Sequence, residues 1–348
     1  MSVKYNFSST GLNIFEQKYI TMRAVLGCII ILFLCCFNQS EGQIIKYDVQ
    51  SHTDRNGYKY ETVTNDPAGL RLYKLRNGLT VYLAQERSEP RINYATALRA
   101  GSANDPKDNT GLAHYLEHLL FNGTDSIGTL DWEKESSILN EVEEMYELLK
   151  QEKDPVLRVK IDKRIDSLSY KASEYGIKGE YRKLMADIGG VSVNGTTNFE
   201  YIVYGCIIPS PSLEKLLALE GSRFSNPAFR AFRTEMEIVY EEFNAMQDNE
   251  FIQKYFPANR ELFKKHPYGQ QIVIGTSEHL KNPSVRAIKE YYQKYYVPDN
   301  MAIILTGDID FEKTIQLVDN EFGSYRPGNI QRPVFPKEDS IVVPTTVE

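Results

Sequence analysis

The segment GLAHYLEHLLFNGT, residues 111–124, restricts the fold more than any other stretch of the chain. Leu112, Tyr115, Leu116, Leu119 and Leu120 recur at three- and four-residue steps, which predicts a short, largely buried helix over residues 111–121. Two of the chain's five histidines, His114 and His118, fall inside it, with Glu117 between them. At about 100° per residue the histidines lie about 40° apart on one face, and Glu117 about 60° from His114. Two imidazoles one turn apart can grip a single zinc ion. A carboxylate on the same side then reaches a water on the metal rather than the metal itself. Zinc brings the pKa of such a water down to ~7, where a nearby glutamate can take its proton. His-x-x-Glu-His is a catalytic signature in its own right. The bland alternative is a pair of partly buried histidines capping a core helix.

A catalytic zinc takes three protein ligands and keeps one position open. The best remaining acidic cluster is TEMEIVYEE, residues 234–242. Glu235 and Glu242 are two helical turns apart and share a face, whereas Glu237 and Glu241 point elsewhere. Glu242 is therefore the candidate third ligand, with Glu235 a carboxylate that orients a histidine or the water.

The rest of the chain sets the context. With 348 residues, 42% of them hydrophobic, there is material for one large domain or two small ones. A net charge of -7 with no basic stripe argues against nucleic acid as a partner. Cys28, Cys35 and Cys36 sit in one apolar run near the N-terminus, so Cys206 has no disulfide partner in the body of the protein. That run follows Arg23 and ends at Ser40 and Gly42 in a small-x-small pattern, the layout of an export signal cleaved after Gly42. The expected location is outside the cytoplasm: periplasmic, envelope-associated or secreted. Residues 1–42 are then an upstream extension plus signal, and residues 43–68 a polar segment without a clear assignment.

From residue 69 the pattern sharpens. LRLYKLRNGLTVYLAQE predicts two short strands around Asn77-Gly78, and RINYATALRAG a third. Residues 131–186 are highly charged, with apolar positions at helical steps and a break at Asp154-Pro155, which predicts an inserted helical hairpin projecting from the domain. GGVSVNGTTNFEYIVYGCII supplies two more strands, and YYVPDNMAIILTGDID an apolar one. Helices are expected around residues 211–229, 233–251 and 311–325, and a Pro-rich linker over 336–348. Strands and helices mix without regular alternation, so the expected class is α+β: a two-layer domain with helices packed on a mostly antiparallel sheet.

Six pieces in order, LRNGLTVYL, GSANDPKDNTGLAHYLEHLLFNGT, VNGTTNFEYIVY, TEMEIVYEEFN, HPYGQQIVIGT and YYVPDNMAIILTGDID, resemble the insulinase/pitrilysin (M16, inverzincin) family of zinc metallopeptidases, which includes mitochondrial processing peptidase. The resemblance spans about residues 69–335. It implies a processing-peptidase-like fold, one zinc per chain on His114, His118 and Glu242, Glu117 as general base and Glu235 as support. It further implies that Val193, Asn194, Gly195 and Thr196 belong to an edge strand to which an extended peptide substrate adds, with Asn194 near the scissile bond. The interval from His118 to Glu242 exceeds the family's usual one by roughly fifty residues, about the length of the hairpin, and an insertion that loops out leaves a site intact. Family enzymes close a chamber with a second, similar half, so the expected partners are peptide substrates and either such a half or further copies of this chain. The rival expectation is a non-catalytic peptide-binding or scaffolding subunit of a two-part peptidase.

Overall fold

The computed structural model describes residues 46–341. The apolar run read as an export signal and the end of the Pro-rich tail lie outside the described residues. Eight strands form one sheet: β1 (Val49–Thr53), β2 (Lys59–Val63), β3 (Arg71–Lys74), β4 (Thr80–Gln85), β5 (Arg91–Leu98), β6 (Val191–Thr197), β7 (Ile202–Pro209) and β8 (Met301–Gly307). Their order is β1-β2-β3-β4-β8-β5-β7-β6, and only β4 and β8 run parallel. The expected mostly antiparallel α+β sheet is therefore what the chain builds.

One face of the sheet is the floor of the core. Ile92, Tyr94, Thr96 and Leu98 of β5 are buried at alternate positions, as are Ile202, Tyr204, Cys206 and Ile208 of β7 and Met301, Ile303 and Leu305 of β8. Register aligns them: Leu98 lies opposite both Ile202 and Met301. A period of two with one face buried is what these apolar alternations dictate. The hairpin at Asn77-Gly78 forms as expected, with Gly78 at φ 90°. The polar segment before residue 69 is not a separate region. It supplies β1 and β2, which extend the sheet at one edge.

Helices cover the buried face: α1 (Leu112–Leu119), α2 (Trp132–Gln151), α3 (Pro155–Ser173), α4 (Glu180–Asp187), α5 (Leu213–Ser225), α6 (Phe232–Gln247), α7 (Glu250–Leu262), α8 (Pro267–Gln270), α9 (Ser277–Lys281), α10 (Val285–Tyr295) and α11 (Phe311–Phe322). In α1 every apolar position named from the sequence is buried.

The charged hairpin, α2 and α3, breaks at Asp154-Pro155 as the sequence predicts, Asp154 capping α3 and Pro155 filling its first position. It does not project. Val142, Tyr146, Leu149, Ile165 and Leu168 are buried in the common core. Lys289 of α10 reaches Glu143 at 2.5 Å, and Arg233 of α6 reaches Asp162 at 2.6 Å. Arg230, just before α6, holds Glu135 of α2 through two bonds of 2.8 and 3.1 Å. The hairpin thus braces the helix that carries the acidic cluster. The stretch after it is a separate helix, α4, that leads into β6.

A second buried cation lies under α4. Arg223 pairs with Glu220, which also accepts the Tyr181 hydroxyl, and its guanidinium stands 4.7 Å from the Tyr204 ring centre and 5.2 Å from that of Phe121. The tail from residue 324 to 341 adds no helix or strand.

Candidate metal centre and its relatives

The site forms where α1 crosses α6 beneath β6. Asp105 sets the start of α1: its carboxylate accepts the backbone N–H of Gly111 at 2.7 Å and of Ala113 at 3.0 Å. Carboxyl oxygens there satisfy donors that a helix N-terminus otherwise leaves free. Gly111 itself sits at φ 90°, and a side-chain carbon on it would come 2.6 Å from the carbonyl oxygen of Ile274. Glycine is needed at that point. Tyr115 packs on Phe232 and donates to its carbonyl oxygen, which fixes α1 against the first turn of α6.

With both helices fixed, His114, His118 and Glu242 converge, their ligand atoms all within 4.8 Å of one another. Nε2 of His114 is 3.6 Å from Oε2 of Glu242, and Nε2 of His118 is 3.5 Å from the same oxygen. Tetrahedral zinc with bonds of about 2.0–2.2 Å separates its ligand atoms by roughly 3.4 Å. The two nitrogens and the oxygen therefore stand near the corners such an ion needs, and the donor set of two imidazoles and one carboxylate suits zinc. Among the described residues this is the one cluster of metal-ligating side chains with that property.

Supporting groups complete the arrangement. Glu235 accepts from Nδ1 of His118 at 3.3 Å and from the Asn122 side chain at 3.0 Å, so both its oxygens are engaged. A carboxylate behind a ligating imidazole fixes its tautomer and leaves Nε2 free to bind metal. Asn122, one turn beyond the motif, reads in the sequence only as the start of an Asn-Gly-Thr glycosylation pattern and not as part of the site. Its proximity to the motif was the only signal available. Glu117 is buried, and its Oε2 accepts the Thr197 hydroxyl of β6 at 2.6 Å. A carbon added to Gly195 would lie 2.4 Å from the other oxygen, Oε1, so the strand approaches the carboxylate as closely as glycine permits. Asn194, Gly195 and Thr196 line the same cleft, of about 670 Å³, while Val193 of the same strand packs against the core. A bulge between Val191 and Asn194, with Ser192 at φ 53°, turns the strand there.

Burial sets the charges. It pushes His114 down to about 4, helped by the neighbouring His118, so His114 is neutral near pH 7, the form that binds metal. Burial also lowers His118, but the bond to Glu235 and the charges of Glu242 and Glu117 outweigh it and raise the group. Burial raises Glu117, against the pull of the Thr197 bond and of His118. Glu235 is raised by burial and lowered further by its bonds from His118 and Asn122, and ends below the ordinary carboxylate range.

The other histidines stand apart. His266 caps α8, His279 accepts the Thr110 backbone N–H at 3.0 Å, and His52 stacks on Tyr60 within the β1-β2 edge. Cys206 is buried, its thiol pushed up to about 12 by that burial, which makes it inert. No described helix is long and apolar enough to cross a membrane.

Comparison with known proteins bears on the same residues. Residues 80–145, which contain the histidine motif, match the family model described as insulinase (peptidase family M16), and residues 284–347 match that of the peptidase M16 inactive domain. The zinc protease PqqE of Helicobacter pylori is 25% identical over 77% of this chain and 48% of its own length. An insulin-degrading enzyme homolog of Dictyostelium discoideum is 26% identical over 74% of this chain and 21% of its own. The chain thus spans half or less of the length of these two curated relatives. The first half of the periplasmic protease PqqL from Escherichia coli has the same fold, with a TM-score of 0.56 at 19% identity over 79% of this chain and 50% of that one. Two matched M16 models in chain order, relatives named as zinc proteases and a shared fold together support the reading of this chain as an M16 family metallopeptidase.

Proposed function

We propose that this chain is the catalytic half of an exported zinc endopeptidase that hydrolyses peptides or unfolded protein segments. The observation that carries the reading is the coincidence, in one cleft, of a zinc-sized triad with a buried carboxylate one residue from a ligand and pressed against a sheet edge. His114, His118 and Glu242 would hold one zinc ion, with Glu235 orienting His118. Zinc, when bound, acidifies a water and polarises a peptide carbonyl.

Glu117 does the proton work. Its Oε2 is held by Thr197, which leaves Oε1 to take a proton from the attacking water. Burial raises the group, so it retains that proton long enough to pass it to the leaving amine. The outer edge of β6 carries no strand among the described residues. An extended peptide can therefore add there through backbone bonds at Val193, Asn194, Gly195 and Thr196, a pairing indifferent to most side chains. Residues 69–335, extended by β1 and β2, would form the peptidase domain, and residues 336–348 the link to a second M16-like half. A partner half or a second copy would close the cleft, in keeping with relatives of which the matched region is about half or less. The N-terminal apolar run and a periplasmic relative support export. A purely peptide-binding subunit would have no use for a buried carboxylate at Glu117.

The test is metal content. The purified protein should carry one zinc per chain, lost in His118→Ala and retained in Glu117→Gln. Zinc bound equally well by His118→Ala would place the metal elsewhere and end the reading.

A further inference from the structure

We infer that Arg182 reads a carboxylate on the substrate and so sets the specificity of the cleft. The inference rests on the peptidase reading above and deepens it. Arg182 lies on α4, exposed, and lines the same cleft as His114, Glu117 and His118. It is the only lysine or arginine among the residues lining that cleft, which otherwise present Glu117, Glu235 and Glu242.

Its guanidinium is placed but not consumed. It packs 5.2 Å from the ring centre of Phe121, two residues beyond the end of α1, and the same ring is held at 5.2 Å by the buried Arg223. A cation on an aromatic face keeps its planar donors available around its rim. Among the described residues no carboxylate pairs with Arg182. Arg223, Arg230 and Arg233 each have at least one. Glu235, which feels the charge of Arg182, already has both oxygens occupied by His118 and Asn122. An unpaired fork of donors inside an acidic cleft fits an incoming carboxylate, which it can hold through two parallel bonds.

The cleft is also polarised along α1. Arg182 and Phe121 stand beyond its C-terminal end, while Ile274 lies at its N-terminal end beside Gly111, with Val273, Met246 and Phe256 completing an apolar lining. A peptide laid along β6 therefore meets an apolar wall on one side of the histidines and a guanidinium on the other. The carboxylate it reads belongs to an acidic side chain or to the end of the chain.

Binding separates these cases without relying on turnover. Labelled unstructured peptides, each with one Glu moved stepwise along the sequence, would be titrated into the full chain carrying Glu117→Gln. Each would be compared with its Gln counterpart, and each made with a free C-terminal acid and with a C-terminal amide. The expected result is one position at which Glu binds about tenfold more tightly than Gln, a charged hydrogen bond discounted for an exposed partner. That preference should vanish on adding Arg182→Gln and turn toward Lys with Arg182→Glu. Dependence on the free acid instead would assign the carboxylate to the chain terminus. Equal binding of acidic and neutral peptides at every position, or a preference that survives Arg182→Gln, overturns the inference, as does the absence of any peptide binding. An Arg182-dependent preference in a chain whose zinc is bound equally well by His118→Ala would sustain the Arg182 assignment and sink the peptidase reading.

Discussion

Glu117 is gripped from β6 by a residue that donates to it and by one that must have no side chain. Thr197 fixes one oxygen at 2.6 Å, and Gly195 leaves the space the other occupies. Gly195→Ala would force the carboxylate or the strand aside, and a displacement of about 1 Å at a reacting group costs about a hundredfold in rate. We expect that loss in kcat with zinc content unchanged, measured on any cleaved peptide. Asp105 makes a different prediction, in stability. Burial raises its carboxyl to about 8, outweighing the bonds from the α1 backbone. The folded state therefore holds a proton that the unfolded chain releases near pH 4. Stability from this group is complete below about pH 4 and is lost as the pH rises to about 8, by at most about 6 kcal/mol. Urea unfolding should show the gap between the unaltered protein and Asp105→Asn shifting against the former from pH 5 to pH 8. Unchanged spacing between the two would contradict it. The metal motif was legible because its residues lie within one helical turn. Asn122 and Thr197 were not singled out for the site, because their contacts with Glu235 and Glu117 depend on how separate elements pack.

At the scale of elements, the apolar alternation of β4, β5, β7 and β8 could be read directly, since one face of each is buried. β1 and β2 could not. Their residues VQSHT and KYETV are exposed or half-exposed throughout, β1 at the sheet edge and β2 beside it, and strands with no fully buried face carry no apolar alternation to read. The hairpin of α2 and α3 was legible in its break at Asp154-Pro155 but not in its docking, because its attachments are long-range. Arg230 and Glu135 are 95 residues apart in sequence. Arg230 also donates to the carbonyl oxygens of Asn122, Ile127 and Thr124, so it ties the loop after α1 to both α2 and the start of α6. Replacing it with Met leaves Glu135 buried without its partner, and we expect a loss of about 3–5 kcal/mol in chemical denaturation. A loss below about 1 kcal/mol would mean that the hairpin is the appendage its charge suggested.

For the whole molecule, the fold class followed from the mixture of strands and helices, and the family from six short pieces in order. What the packing added is that the insertion braces the site instead of hanging from the domain. If three ligands from α1 and α6 share one ion, metal joins the two helices and stabilises the folded state. A ligand at a thousandfold excess over its Kd contributes about 4 kcal/mol. Chelation should therefore lower Tm in the unaltered protein and leave His118→Ala, already without zinc, where it was. The most direct test of the central claim compares peptide hydrolysis by the unaltered protein and by Glu117→Gln, matched for zinc content, on a mixture of unstructured peptides. The account predicts cleavage that falls at least about a hundredfold in the variant, the scale of a lost general base. Cleavage at equal rates by the two proteins would contradict it.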